Sequence, residues 1–157
     1  MHLSPSAKYA IAIGGTLLIG SGSALAMGDS LEQWYSQLAK PWGQPPPWVF
    51  APVWTVLYIL MGTAAGLVWT HDTAPGARRA LALYVIQLGL NAVWSVIFFG
   101  MRSPQLALGD IFLLLAMIIA LMRLFSKVHR TAGWLLLPYL LWVAFATYLN
   151  AGVVVLN

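Results

Sequence analysis

Apolar residues gather in five long runs along this chain, at about residues 9–27, 52–70, 79–101, 105–125 and 132–154. Each run is continuous and close to twenty residues, the length an α-helix needs to cross about 30 Å of hydrocarbon. Barrel strands would instead alternate polar and apolar positions over about ten residues. The pattern predicts an all-α membrane bundle of five transmembrane helices, formed as a single domain over residues 1–157. The breaks are short: His71–Ala77 contains Pro75-Gly76, Arg102-Ser103-Pro104 ends the third run, and Ser126–Arg130 is a basic turn. The exception is the long connector 28–51 between the first two runs.

That connector and the start of the next helix form the densest feature of the sequence. Trp34–Tyr58 holds four of the eight tryptophans and five of the nine prolines. Proline fixes φ and biases its predecessor away from helix, so Pro41 followed by Pro45-Pro46-Pro47 predicts a stiff extended loop. Tryptophan alone at such a place is ordinary membrane-interface chemistry. Four indoles on a proline frame predict a lid over an aromatic pocket, with Trp34–Pro47 as its body.

Helical spacing extends the pocket inward. Trp54 and Tyr58 share one face of the second run. Gln87, Asn91, Trp94 and Phe98 form a stripe on the third, and Tyr139, Trp142, Ala146 and Asn150 one on the fifth. All three reach the half of the bilayer under the loop. An unpartnered amide in hydrocarbon costs several kcal/mol, so Gln87 and Asn91 are expected to point inward. Gln87 is read equally as interhelical glue or pocket wall, Asn91 as a ligand contact, and Ala146 as the space beside Trp142.

Composition agrees with the membrane reading. The chain is 61% hydrophobic and 8% charged, with mean hydropathy +0.81. Soluble domains carry about 25% charged residues. The basic excess, eight Lys and Arg against four Asp and Glu, is too small and dispersed for nucleic acid. It serves as a topology signal: Lys8, Arg78, Arg79, Arg123, Lys127 and Arg130 fall on the N-terminal side, and Lys40 and Arg102 on the other. In a bacterial inner membrane this predicts a cytoplasmic N-terminus, with the tryptophan loop and C-terminus outside.

The first run admits two readings. Lys8, the apolar stretch and Ala24-Leu25-Ala26 resemble a signal peptide with its cleavage site. The favoured reading is a retained helix, because Ala12, Thr16, Gly20, Ala24 and Gly28 make a small-residue ladder for close helix approach. Asp110 lies one turn inside the fourth run and is expected to snorkel or to pair with Arg102. With no cysteine, thiolate sites and disulfides are excluded. His2, His71 and His129 sit on the side away from the aromatic level, so none is expected to ligate haem iron there. Nor is there a nucleophile–base–orienter set. What remains is stacking, apolar enclosure and one or two hydrogen bonds, which suits a large flat hydrophobic molecule.

The sequence resembles the TspO/translocator family over all but about the first twenty residues. The resemblance rests on Trp34-Tyr35, Leu38, Lys40-Pro41, Pro45-Pro46, Trp48-Val49-Phe50, Pro52-Val53-Trp54 and Leu57-Tyr58. It continues through Gln87-Leu88, Asn91, Trp94, Phe98-Phe99-Gly100, Ala107-Leu108 and Asp110, then Pro138-Tyr139-Leu140, Trp142, Ala144-Phe145-Ala146-Thr147 and Leu149-Asn150. It implies a five-helix bundle, often a homodimer, that binds protoporphyrin IX or haem, sterols in some members, and synthetic isoquinoline or benzodiazepine ligands. No resident cofactor is required, the porphyrin being the ligand. Ligand-binding roles fall on Trp34, Tyr35, Pro45, Phe50, Ala51, Trp54, Tyr58, Asn91, Trp94, Trp142 and Ala146. The resemblance leaves open tetrapyrrole transport and light-dependent protoporphyrin degradation as alternatives to binding or sensing. This chain departs from the family pattern at Gly43, where tryptophan is common, so one wall of the lid is absent or replaced by Trp42. Val96 stands where a proline often follows the third-helix tryptophan. Ala82 and Ile86 stand at the usual dimer pair, which makes the first-run ladder a substitute dimer face. Ala151, with no Lys or Arg beyond Arg130, breaks the sterol motif.

Overall fold

A computed structural model describes residues 3–25 and 28–157. Met27, the expected end of the first run, Ala26 of the cleavage-like triplet and His2 lie outside the described residues. All regular structure among the described residues is helical, without strands. Helix α1 covers Pro5–Leu25, and the connector carries a short α2, Ser30–Gln33. Then come α3, Phe50–Thr70, α4, Ala77–Ser95, and α5, Pro104–Val128. The last apolar run is divided into α6, Arg130–Leu135, and α7, Leu137–Leu156. Four spans are long and apolar enough to cross a membrane: Pro47–Thr70, Ala77–Gly100, Pro104–Val128 and Arg130–Leu156. With the 21-residue α1 they make a bundle of five apolar helices.

Two boundaries follow from local chemistry. Pro138 has no N–H for a bond back to Trp134, which divides α6 from α7 at Leu136 without ending the span. At the end of α4 the backbone widens into a π turn, Val96–Gly100, closed by Met101 N–H to Val96 C=O at 2.8 Å. Single π turns interrupt α-helices mostly at functional places. Here the turn leaves the consecutive Phe98 and Phe99 both buried.

The helices close into a ring in which α1 packs on α3 and α4, α4 on α5, α5 on α6 and α7, and α6 back on α3. Small residues bring α1 and α3 together. A Cβ on Gly62 would lie 2.5 Å from the Ile13 Cα, and one on Gly66 2.6 Å from the Tyr9 ring. On α1, a Cβ on Gly20 would fall within the Tyr58 ring. Thr16 and Gly20 of the expected ladder are therefore spent inside the chain, Thr16 bonding the Tyr84 hydroxyl at 2.5 Å. The outward residues are apolar: Leu18, Val85, Phe112 and Leu141 are all exposed. Apolar exposure all round a bundle is what lipid requires and what water would punish.

The two ends differ. At one, the Lys8 ammonium bonds the Asp72 carboxylate at 2.8 Å and Trp69 C=O at 3.0 Å, tying the start of α1 to the end of α3. The Lys8 hydrogen bond holds the Asp72 carboxyl below its ordinary value of 3.8. Its contribution to stability is complete above that value and is lost as pH falls through the lowered one. The connector covers the opposite end.

Substituting Gly62→Val should push α1 off α3 and cost roughly 1–3 kcal/mol by overpacking. Gly14→Ala, which meets nothing within 4 Å, should be neutral. Thermal unfolding in detergent reads both; equal midpoints for the two variants would contradict the close approach.

Candidate ligand-binding site

The connector is a fixed cap. Asn157 holds it by accepting from Ala39 N–H at 3.0 Å and donating to Ala39 C=O at 2.9 Å. The Tyr148 hydroxyl donates to Trp42 C=O at 2.9 Å, and Pro41 rests on Gly152. Pro46 is extended, and Pro47 opens the turn that runs into α3. Gly43 takes φ +85°, a conformation that favours glycine. Trp42 is 92% exposed and does not replace the missing wall of the lid.

Beneath the cap lies a cavity of about 400 Å³. Such a volume falls in the range of small-molecule sites, about 300–1,000 Å³. Its walls come from Phe50 and Trp54 of α3, Asn91 and Trp94 of α4, Phe98 and Phe99 of the π turn, and Trp142 and Ala146 of α7. Tyr35 and Pro45 close it from the cap, and Ile111 and Leu114 of α5 from below. The aromatic walls brace one another. Phe50 meets Trp142 edge to face at 5.9 Å, and Trp94 stacks on Phe98 at 5.0 Å. Aromatic pairs at these separations add about 0.5–1.5 kcal/mol beyond their area.

The polar groups around the cavity are largely committed to each other. The Tyr58 hydroxyl donates to Asn91 Oδ1 at 3.1 Å. Asn91 Nδ2 donates to the Tyr139 hydroxyl at 3.2 Å, which in turn donates to Gln87 Oε1 at 3.0 Å. One chain of hydrogen bonds thus joins α3, α4 and α7. Nearer the cap, Trp94 Nε1 donates to Asn150 Oδ1 at 3.1 Å, and Asn150 Nδ2 to Pro104 C=O at 2.9 Å. Asn91, expected as a ligand contact, is first a cross-link. It reaches the cavity with one N–H and one lone pair still open.

Of the residues singled out in the sequence, Tyr35, Pro45, Phe50, Trp54, Asn91, Trp94, Trp142 and Ala146 come together on this wall. Three lie off it. Trp34 packs edge-on against Phe98 from behind, at 5.8 Å. Ala51 is exposed on the first turn of α3. Tyr58 is buried one turn below Trp54, which stacks on it at 5.3 Å. The expected Asp110–Arg102 pair does not form: among the described residues the one ion pair is Lys8–Asp72, and Asp110 Oδ2 has no hydrogen-bond partner. Arg102 sits instead at φ +51°, in the tight link after the π turn.

Wall residues not singled out in the sequence include Lys40, Gln44, Phe99, Leu149 and Val153, with Leu31, Ser36, Ile111, Leu114 and Val143. Leu149 and Val153 continue the α7 stripe by helical spacing and were open to discovery. Phe99 was not, because an unbroken α-helix turns it away from Phe98. Among the described residues no three His, Asp or Glu side chains gather to hold a metal ion. His71 and His129 face each other at 5.2 Å at the far end of the bundle.

These features define a class: a five-helix integral membrane bundle with a capped aromatic cavity in one half. The chain belongs to the TspO/MBR family, whose profile matches residues 11–156. It is 42% identical over 149 residues to the tryptophan-rich protein TspO of Chlorobaculum tepidum, covering 94% of each chain. To the tryptophan-rich sensory protein of Cereibacter sphaeroides it is 39% identical over 144 residues, covering 90% of this chain and 89% of the relative. To the translocator protein of Homo sapiens it is 42% identical over 131 residues, covering 82% and 77%.

Tyr139→Phe should strand the Asn91 donor and the Gln87 acceptor and lower stability by roughly 1–3 kcal/mol. Tyr148→Phe, which loses only an exposed bond to the cap, should lower it by less than about 1 kcal/mol. Thermal unfolding with matched detergent separates them, and a reversed order would refute the cross-link.

Proposed function

We propose that this protein is a membrane receptor for flat hydrophobic ligands of the porphyrin type, protoporphyrin IX or haem, held in the capped cavity. The observation that carries this reading is the cavity lined by Trp54 and Trp142, walled by aromatic rings beside which Asn91 already bonds the Tyr58 and Tyr139 hydroxyls. Such a wall gains most from a ligand that brings a broad π face and asks for few hydrogen bonds. Indole faces and edges supply stacking, while Ala146 keeps room beside Trp142. The chemistry is enclosure rather than bond-making, since both described histidines lie at the other end of the bundle. Two relatives are named for sensing and for translocation, roles in which a binding cavity has a use.

The orientation belongs to the same reading. Lys8, Arg78, Arg79, Arg123, Lys127 and Arg130 lie toward the end bearing the Lys8–Asp72 pair. By the positive-inside rule that end is cytoplasmic in a bacterial inner membrane, and the cavity and cap face outward.

Titration with protoporphyrin IX, followed by quenching of tryptophan fluorescence in detergent, tests the site. Ala146→Leu places a larger side chain in the cavity and should weaken binding at least about tenfold, the equivalent of 1.4 kcal/mol. Ala51→Leu, on the exposed side of the same cap–helix junction, should leave it unchanged. Equal affinities for wild type and Ala146→Leu would remove the ligand from this cavity.

A further inference from the structure

The cavity wall is apolar with one outlier. Among the described residues that line it, Lys40 is the one charged side chain. It stands on the cap, partly buried, with its ammonium 5.0 Å from the centre of the Tyr35 ring. Two carbonyls accept from it, Ser36 C=O at 3.1 Å and Leu38 C=O at 3.2 Å. An ammonium has three N–H donors, so this arrangement leaves one. No carboxylate among the described residues lies within ion-pair distance of it. Four residues further along the same cap, Gln44 also lines the cavity, and its buried Oε1 has no hydrogen-bond partner. A half-turn of that amide about its last bond replaces the orphan oxygen with an NH2 group.

A partly desolvated cation beside an apolar chamber, with no counter-ion of its own, is an incomplete electrostatic arrangement. Carbonyl dipoles and a ring face fix the position of the ammonium but do not neutralise it. The rest of the wall offers no second cation: Trp94 spends its one N–H on Asn150, and Asn91 and Asn150, bonded to protein partners, each keep a single neutral N–H. From this we infer that Lys40 forms an acid-recognition subsite at the edge of the cavity. Its ligand is an amphiphile with a flat apolar body and a peripheral carboxylate, which accepts from the Lys40 ammonium and the turned Gln44 amide. The inference rests on the cavity function proposed above and adds a chemical requirement to it. Ligands of the same shape with the acid masked should bind without the polar contact, and therefore more weakly.

Protoporphyrin IX and its dimethyl ester share one ring and differ in their acid groups, which makes them the probes. Quenching titrations at one detergent and salt concentration should show wild type preferring the free acid by about tenfold, the strength of one charge-assisted hydrogen bond. Lys40→Met should abolish that preference by weakening the acid alone, and Lys40→Arg should restore it. If Lys40 merely props the cap through Ser36 and Leu38, Lys40→Met will weaken acid and ester alike, which overturns the subsite. Equal wild-type affinity for the two probes overturns it as well, while leaving the cavity function standing. Failure of wild type to bind either probe is a different result: it overturns the cavity function, and the subsite with it.

Discussion

The hydrogen-bonded chain Tyr58–Asn91–Tyr139–Gln87 is the constraint on which the rest of the structure turns. In hydrocarbon an amide has no water to fall back on, so two amides placed at the middle of α4 dictate what must stand opposite them. Two tyrosines answer, one from α3 and one from α7, and both are buried. Three helices are thereby fixed in rotation and depth. Trp54, one turn from Tyr58, and Trp142, three residues from Tyr139, then have no choice but to face the same space. The cavity is the volume left above this polar layer, which ends at Gln87, whose buried Nε2 has no partner.

The cap depends on a second set of small, directed interactions. Its contacts with α7 are made by backbone groups of Ala39 and Trp42 and by the proline ring that sits on Gly152. Side chains of the connector are thus free to line the chamber, as Tyr35, Lys40, Gln44 and Pro45 do. Packing of α1 on α3 through Gly20, Gly62 and Gly66 supports the same geometry from outside, since Gly20 is the surface on which Tyr58 rests. A glycine facing lipid-side packing and an aromatic facing the cavity are in this way parts of one mechanical path.

Much of this was legible in the sequence, for a physical reason. Membrane helices announce themselves by length and hydropathy, and buried amides and indoles recur at helical spacing because each must share a face with its partners. Gln87, Asn91 and Trp94 could be placed inward without coordinates. Their partners could not: spacing along one helix says which residues share a face but not which hydroxyl on another helix reaches them. Hence the place of Asn91 on the wall is legible but its bonds to Tyr58 and Tyr139 are not, and Tyr58, expected on the wall, lies below it. The π turn that buries Phe98 and Phe99 together escaped because helical periodicity assumes its absence. Asp110 and Arg102 are near in sequence, yet Arg102 lies exposed in the link before α5 while Asp110 is half-buried in the helix, and no ion pair joins them. Of the small-residue ladder, Ala12, Thr16 and Gly20 form the face for close approach while Ala24 and Gly28 are exposed, and the sequence does not say whether that face meets another chain or its own α3.

The account places a flat ligand against tryptophans that belong to different helices, above a polar layer and below a cap. A structure of the protein determined with protoporphyrin IX bound tests this most directly. Density for the ring is expected between Trp54 and Trp142, with its plane bounded by Phe50 and Ala146 and its edge toward Lys40. Density in the groove lined by Ile11 and Ile19 of α1 and Leu81 and Val85 of α4, with the capped cavity unfilled, would contradict it.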